Sequence, residues 1–259
     1  MQQIAAQLAQ KAKKVGCDSS QCSLLIADFD TSSTSTSRLG LQLSDEFAAL
    51  LAKADPKIKL VSRSSLRELM NRNRIPAEHF NDDYAVRWLG REMGATAVLT
   101  ATFTFKPGSP EAKFKIFDSR PGKKKVESFS AKLPDLTFKD EDLQTIEPYS
   151  KLEKALKDED GEVLPSAGKG GVSTPRCTFT PNPSYTDAAR EAKFSGVILM
   201  DAVVTRQGSV EIVRVARGLP FNLNEQARKT LETWRCVPAT KNGSPVSALV
   251  VLEVNFRLY

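Results

Sequence analysis

The chain has 259 residues, of which 41% are hydrophobic and 26% are charged, and its formal net charge is +6. This composition is close to that of an average soluble globular protein, and the length favours two domains over one. No apolar run approaches the ~18–20 residues that a membrane-spanning helix needs, which excludes a span within this sequence.

The positive charge does not indicate nucleic-acid binding, because Lys and Arg are interleaved with Asp and Glu along most of the chain. The one basic cluster, residues 123–125, follows Pro121-Gly122 and is typical of a solvated hairpin tip. The first 15 residues lack the continuous apolar core of a signal peptide. We therefore expect that an export signal or anchor was removed upstream of Met1.

The four cysteines predict disulfides in an oxidising compartment. None of them forms a CxxC motif, and the single histidine, His79, cannot complete a zinc set of familiar spacing. Cys17 with Cys22 would close a small loop, and Cys177 with Cys236 a loop of about 59 residues, worth ~4 kcal/mol in the chain-entropy model. The alternative is four reduced, partly buried thiols.

Apolar patterns in the first half predict strands that alternate with helices. Residues 31–37 form a Ser/Thr loop, Ser64 or Ser65 caps one helix, and Asp82 or Asp83 begins another that ends at Gly94. We predict helices over residues 2–14, 39–51, 66–73 and 82–93, and strands over residues 23–29, 58–61, 95–105, 112–118 and 125–133. This alternation favours an α/β layered domain over residues 1–138, with some parallel pairing and an antiparallel edge.

Residues 139–174 differ in composition from what precedes them. Residues 151–160 are charge-rich and predict a helix, and residues 165–171 predict a flexible Gly-rich linker. The Gly-Lys pair at 168–169 lacks the spacing of a phosphate-binding loop.

The last part of the chain, residues 175–259, predicts a small domain of order α-β-β-α-β with an antiparallel sheet. Turn signals at residues 206–209 and at Asn242-Gly243 indicate two hairpins. We predict helices over residues 186–193 and 224–234, and strands over residues 197–205, 210–216 and 246–258. The predicted fold class of the whole chain is α+β.

Motifs in a fixed order run through this domain: Pro-Ser-Tyr at 183–185, Ala-Ala-Arg at 188–190, Trp-Arg at 234–235, Asn-Gly-Ser-Pro-Val at 242–246 and Val-Asn-Phe-Arg-Leu at 254–258. Together they resemble the TonB C-terminal domain family. The resemblance implies a protein-binding module whose motif residues are scaffold. These residues are Tyr185, Arg190, Gly196, Gly208, Trp234, Arg235, Pro238, Gly243 and Phe256.

Each motif residue also has a physical role that we expect from its type. Gly196 and Gly208 relieve backbone strain at tight turns, and Trp234 packs its helix onto the sheet. Arg235 pairs with a carboxylate or stays solvated. Cys236 replaces the aromatic residue expected after Trp-Arg, and no membrane helix or Pro-rich spacer, as found in an energy transducer, is present in the sequence.

A second, fainter resemblance covers residues about 23–105. The stretches 25–29, 39–51, 61–66 and 89–95 are similar to the N-terminal domain of curli- and flagellar-assembly lipoproteins. This resemblance also implies an envelope protein with an assembly or binding role.

No residue set predicts an enzyme, a cofactor site or a metal site. His79 is the only imidazole, so a serine triad would need an unusual base such as Lys. The acidic clusters at 82–83 and 158–160 suit helix ends better than metal ligation, and neither a dinucleotide fingerprint nor a Walker motif is present.

The TonB-like resemblance implies a partner in the periplasm or cell envelope of a Gram-negative bacterium. It implies recognition of an outer-membrane transporter or another envelope protein by β-strand addition, in energy transduction for transport. On the last strand, Leu249, Val251, Glu253 and Asn255 are the predicted contacts, although Glu253 and Arg257 can equally be edge-protecting charges. The alternative is an oligomeric envelope assembly or scaffold protein, and an enzyme or a nucleic-acid binder is more distant.

Overall fold

The computed structural model describes residues 1–17, 22–32, 35–105, 110–133, 136–144, 156–157 and 164–258, with the backbone alone at 31–32, 35–36, 77 and 140. The chain divides into two compact units: Met1–Met70 with Pro76–Pro148, and Asn71–Ile75 with Tyr149–Tyr259. Both contain helices and antiparallel strand pairs, which confirms the predicted α+β class.

The first unit is a mixed sheet with helices. Its helices are α1 (Gln2–Lys14), α2 (Arg38–Ala54), α3 (Arg63–Asn73) and α4 (Asp83–Glu92), and 3-10 turns cover Ala77–Asn81 and Asp140–Leu143. The last three residues of α3 are assigned to the second unit. Its strands are β1 (Ser23–Ile26), β2 (Asp30–Ser32), β3 (Ser35–Thr36), β4 (Lys59–Leu60), β5 (Ala97–Thr104), β6 (Glu111–Asp118) and β7 (Val126–Lys132).

The pairing in this sheet follows the predicted pattern. Strand β1 lies between β4 and β5 and is parallel to both, whereas β5, β6 and β7 are joined by antiparallel pairing. The parallel part comes from strands separated by helices, and the antiparallel edge from strands that are consecutive in the chain.

One face of this sheet is covered by apolar helix surfaces. Alternate residues of β5 and β6 point into a core that also contains the buried faces of α1 and α2. Four phenylalanines form its centre, with ring centroids 5.2–6.2 Å apart: Phe29, Phe47, Phe103 and Phe114.

Several boundaries in the first unit differ from the predicted ones. The predicted Ser/Thr loop contributes β3 and part of β2, which pair with each other. Helix α3 begins at Arg63, so Ser64 and Ser65 lie inside its first turn rather than before it. Asp82 caps α4, since its carboxylate accepts hydrogen bonds from the backbone N–H groups of Tyr84 and Ala85.

The second unit has a three-stranded antiparallel sheet and two short ribbons. Its helices are α5 (Asp187–Glu191) and α6 (Leu223–Leu231). Its strands are β8 (Arg176–Phe179), β9 (Gly196–Val204), β10 (Val210–Arg217), β11 (Arg235–Val237), β12 (Ala239–Lys241), β13 (Ser244–Val246) and β14 (Ala248–Phe256). The predicted α-β-β-α-β order is therefore present as α5-β9-β10-α6-β14.

The three-stranded sheet has the order β10-β9-β14. Its inner face buries Ala202 and Val204 of β9, against which Val250 and Leu252 of β14 and the Trp234 ring pack. Both ribbons, β8–β11 and β12–β13, are antiparallel.

Both predicted disulfides are present. Cys17 is bonded to Cys22, and Cys177 to Cys236. The second bond joins β8 to β11, where the two cysteines are register partners. This disulfide bond links the start of the domain covalently to the strand that follows α6.

Two predictions for the second half need correction. The expected last strand is divided, because β13 ends at Val246 and β14 begins at Ala248. The segment predicted as a flexible linker is instead hydrogen-bonded within the second unit, with Ser166 opposite Leu249 and Val172 opposite Lys241. The predicted helix over 151–160 lies outside the described residues except for residues 156–157.

Among the described residues, the helices are all too short or too polar to span a bilayer.

Candidate functional site

Strand β14 forms one border of the three-stranded sheet. It pairs with β9 from Ala248 opposite Val204 to Phe256 opposite Gly196, without a register shift. A regular antiparallel strand turns the N–H and C=O groups of alternate residues to opposite sides. Every second residue of β14 therefore directs its backbone groups away from β9.

The hydrogen bonds of Leu249 show which residues of β14 direct their backbone groups away from β9. Its N–H donates to the Pro165 carbonyl at 2.8 Å, and its carbonyl accepts from the Ala167 N–H at 2.9 Å, both on the side opposite β9. By alternation, Val251, Glu253 and Asn255 face the same way. Within the described part of the chain, no backbone hydrogen bond is made by these three residues on that side.

The four predicted contact residues therefore lie together along one border of the sheet. Their side chains share the face opposite Trp234, and Val251 is 64% exposed. Glu253 and Asn255 are exposed and bonded to each other, since Asn255 Nδ2 donates to Glu253 Oε1 at 2.9 Å. The border thus presents an apolar half at Leu249 and Val251 and a polar half at Glu253 and Asn255.

The other border of the sheet, β10, is irregular. Its pairing with β9 shifts between Ile212 and Arg214 and again between Val215 and Arg217. Such irregularities interrupt the row of backbone groups that an incoming strand needs. Between the two register shifts, Arg214 Nε donates a hydrogen bond to Asp201 Oδ2 at 2.5 Å.

The three glycines predicted as scaffold residues occupy positions that favour glycine for different physical reasons. Gly208 has a φ of +84°, and a Cβ there would lie 2.1 Å from the Cys236 carbonyl oxygen. Gly243 has a φ of +80° with open space around it. Gly196 does not fit the predicted tight turn, because it is a strand residue whose Cβ would meet the Leu219 side chain at 2.7 Å.

Aromatic motif residues hold the domain together. The Trp234 ring packs on the sheet core, and its Nε1–H donates to the Pro181 carbonyl at 3.1 Å. Helix α6 ends at Leu231, so Trp234 lies beyond the helix that was predicted to carry it. Tyr185 packs edge to face on Phe256 with centroids 5.2 Å apart, and the Arg190 guanidinium lies 6.0 Å from the Tyr185 ring.

Two further motif residues lie at the two ends of β11. Arg235 does not use a carboxylate in its described contacts; its Nη1 donates to the backbone carbonyls of Glu232, Thr233 and Trp234. Pro238 is half-buried between β11 and β12, where a residue without an N–H ends one ribbon before the next begins.

The first unit contains a cavity of about 100 Å³ that the sequence did not predict. Asp28, Asp30, Thr102, Lys113 and Lys115 line its polar part. Burial, and secondarily the charge of Asp28, raises the pKa of Asp30 from 3.8 to about 7. Asp28 and Asp30, which lie shortly after the apolar run of β1, were the signal for this site in the sequence.

Arg63 anchors one side of this region. It forms ion pairs with Asp28 and Asp45 and donates to the Ile26 carbonyl at 2.7 Å and to Ser44 Oγ at 2.6 Å. These contacts join β1, α2 and α3, which is a structural role.

Across the described ranges, no group of three or more His, Cys, Asp or Glu side chains is placed to hold a metal ion.

The chain is similar in fold to several solved bacterial proteins. None of the curated proteins compared with the chain matches it in sequence. The solved LpoB C-terminal domain from Salmonella enterica is 15% identical, with 49% of this chain and 95% of that chain covered and a TM-score of 0.36. Lipoprotein GNA1162 from Neisseria meningitidis is 20% identical over 46% of this chain and 86% of its own, with a TM-score of 0.36.

The TonB C-terminal domain of Pseudomonas aeruginosa is 15% identical, covering 38% of this chain and 96% of that chain at a TM-score of 0.27. In the sequence, residues 181–258 match the family described as Gram-negative bacterial TonB protein C-terminal, which confirms the resemblance found in the motifs.

Proposed function

We propose that the second unit is a protein-binding module of the Gram-negative cell envelope that adds a partner's strand to the outer border of β14. The family match over residues 181–258 supports the envelope setting. The border of β14 supports the mode of recognition.

The observation that carries the proposal is the row of backbone groups at Val251, Glu253 and Asn255. These groups point away from β9 and have no backbone partner among the described residues. An extended peptide satisfies such groups by hydrogen bonding as one more strand, and its alternate side chains supply specificity.

The regular pairing of β14 favours this border over β10. Nine residues of β14 run without a bulge, whereas β10 shifts register twice. A partner strand of ordinary length, about five or six residues, can therefore follow β14 but would lose its pairing along β10.

The side chains along β14 indicate the chemistry of the partner. An apolar residue of the partner strand would cover Val251, which is exposed to 64%. Glu253 and Asn255 leave a polar end, where a residue that donates hydrogen bonds would fit. If Glu253 instead protects the border, replacing it with Gln would increase self-association.

Within this proposal, the first candidate partner is a periplasmic segment of an outer-membrane transporter, as the TonB-like resemblance implies. Energy transduction for transport is the corresponding cellular role. In the alternative role, the protein assembles into a stable oligomer as a scaffold. Sedimentation of the full chain separates the two, because a monomer that binds peptides supports the adaptor and a stable multimer supports the scaffold.

The experiment is a selection of random displayed decapeptides on the full chain, followed by binding measurements on two variants. Val251→Pro removes an N–H that points away from β9, so the sheet keeps its own hydrogen bonds. Val251→Thr keeps that N–H and changes only the side chain.

We expect selected peptides to bind Val251→Pro roughly tenfold or more weakly, since a buried carbonyl of the peptide loses its donor. Binding to Val251→Thr should change less. Peptides that bind both variants as tightly as the native chain would contradict strand addition at β14.

A further inference from the structure

Residues Pro165, Ser166 and Ala167 lie as a short strand beside β14. Ser166 is opposite Leu249 in parallel pairing, and the two hydrogen bonds to Leu249 measure 2.8 and 2.9 Å. Leu249 is the first of the residues that direct their backbone groups away from β9. This short segment therefore occupies one end of the border at which we propose that a partner binds.

The chain leaves the border directly after Ala167. Gly168, Gly170 and Gly171 all have positive φ values, of +73°, +58° and +76°, and the Gly168 N–H donates to the Val172 carbonyl at 3.0 Å. Glycine adopts this backbone conformation without the cost that other residues have. The turn ends the internal strand before it reaches Val251.

Beyond the turn, the chain is held firmly. Val172 is buried in a small cluster with Ala239 and Ala248. The Ser173 N–H donates to the Thr240 carbonyl at 2.9 Å, and the Thr240 N–H donates to Ser173 Oγ at 2.8 Å. The two hydrogen bonds between Ser173 and Thr240 do not involve β14, so they can persist when Pro165, Ser166 and Ala167 leave its border.

The hold of this segment on the border is weak by comparison. It consists of one bridge with two backbone hydrogen bonds, each of which contributes little net free energy in water, and of the packing of the small Ala167 side chain against the cluster that contains Val172. Local opening of such an element needs much less free energy than unfolding of the sheet. A glycine turn between a firm anchor and a weak contact permits this opening.

We propose that residues 165–167 are an internal substitute for the partner strand: they cover Leu249 in the free protein and are displaced when the partner binds along residues 249–255. The proposal rests on the proposed function for the identity of the competing strand. The partner is then an extended segment that pairs with Leu249, Val251, Glu253 and Asn255, about seven residues long at the spacing of a β-strand. The internal strand lowers its apparent affinity, because only the open fraction of the protein binds.

The test uses Ala167→Pro, which removes the N–H that donates to Leu249, with Ala167→Ser as the matched control that keeps it. Both substitutions leave the hydrogen bonds between β9, β10 and β14 in place. Amide hydrogen exchange of the full chain is measured first, without any peptide. We expect exchange at the Leu249 amide to accelerate about tenfold in Ala167→Pro alone, while the Ser173 amide stays protected.

The decapeptides selected on the native chain are then bound to both variants. We expect affinity to rise severalfold for Ala167→Pro and to stay unchanged for Ala167→Ser. Val251-dependent binding that Ala167→Pro does not strengthen would overturn the internal substitute and leave strand addition intact. If the selected peptides bind neither the native chain nor Ala167→Pro in a way that depends on Val251, both the proposed function and this inference fail.

Discussion

Ser166 lies opposite Leu249 in a parallel β-bridge at the border of a sheet that is otherwise antiparallel. The bridge joins the segment before the TonB-like domain to the strand that ends it. It explains why residues 165–171, with the composition of a linker, belong to the compact second unit.

Replacing Gly208 with Ala should destabilise the second unit strongly. The new Cβ would combine an unfavourable positive φ with a contact of 2.1 Å to the Cys236 carbonyl oxygen. We expect a loss of about 3 kcal/mol or more in urea unfolding. Gly243→Ala is the control, with φ +80° and open space, and should cost about 1–2 kcal/mol. Equal losses would show that the contact with Cys236 is unimportant.

The two disulfides should contribute unequally to stability. Cys177 and Cys236 are 59 residues apart, and Cys17 and Cys22 are 5 apart. The chain-entropy model gives about 4 kcal/mol for the long loop and about 2 kcal/mol for the short one. Double Cys→Ser variants, unfolded in urea, measure each loss. A larger loss from the short loop would contradict the expectation.

Arg63→Met should destabilise the first unit by about 3 kcal/mol, because it leaves the largely buried Asp28 without its cation and removes the hydrogen bonds to the Ile26 carbonyl and to Ser44. The Arg63 side chain is only 11% exposed. The nearby Arg67 also pairs with Asp45 but is 44% exposed, so Arg67→Met should cost about 1 kcal/mol or less. Thermal unfolding of both variants makes the comparison, and similar shifts would argue against a structural role specific to Arg63.

Asp30 should make the first unit less stable as pH rises. Its pKa in the folded protein is about 7, above its ordinary value of 3.8, because of burial and the charge of Asp28. Between about pH 4 and pH 7 the folded state therefore binds more protons than the unfolded state, and the free energy of unfolding falls with pH.

Asp30→Asn removes this dependence. The variant should gain stability relative to the native chain between pH 4 and pH 7, by at most about 4 kcal/mol because the carboxyl is partly solvated. Urea unfolding at both pH values measures the gain. A difference that is the same at pH 4 and pH 7 would show that Asp30 titrates normally.

Much of the second unit could be predicted from local signals. Gly208 and Asn242-Gly243 mark hairpins because few other residues adopt the required backbone angles. Alternating apolar residues predicted β9 and β14, and the Trp234 spacing predicted the packing of the α6 region on the sheet.

The bridge between Ser166 and Leu249 could not be predicted in this way. A single paired residue has no alternating pattern, and its partner lies far along the chain. The glycines at 168, 170 and 171 indicated flexibility, although here they form the turn that ends the internal strand. The division between β13 and β14 could not be predicted either, because no Gly or charged residue interrupts the sequence at Ser247.

The most direct measurement is amide hydrogen exchange of the full chain with and without a selected decapeptide. Strand addition at β14 predicts that exchange slows at Val251, Glu253 and Asn255, whose N–H groups point away from β9, while amides bonded to β9 are unchanged. Protection that develops along β10, or a bound peptide that leaves those three amides exchanging freely, would contradict strand addition at β14.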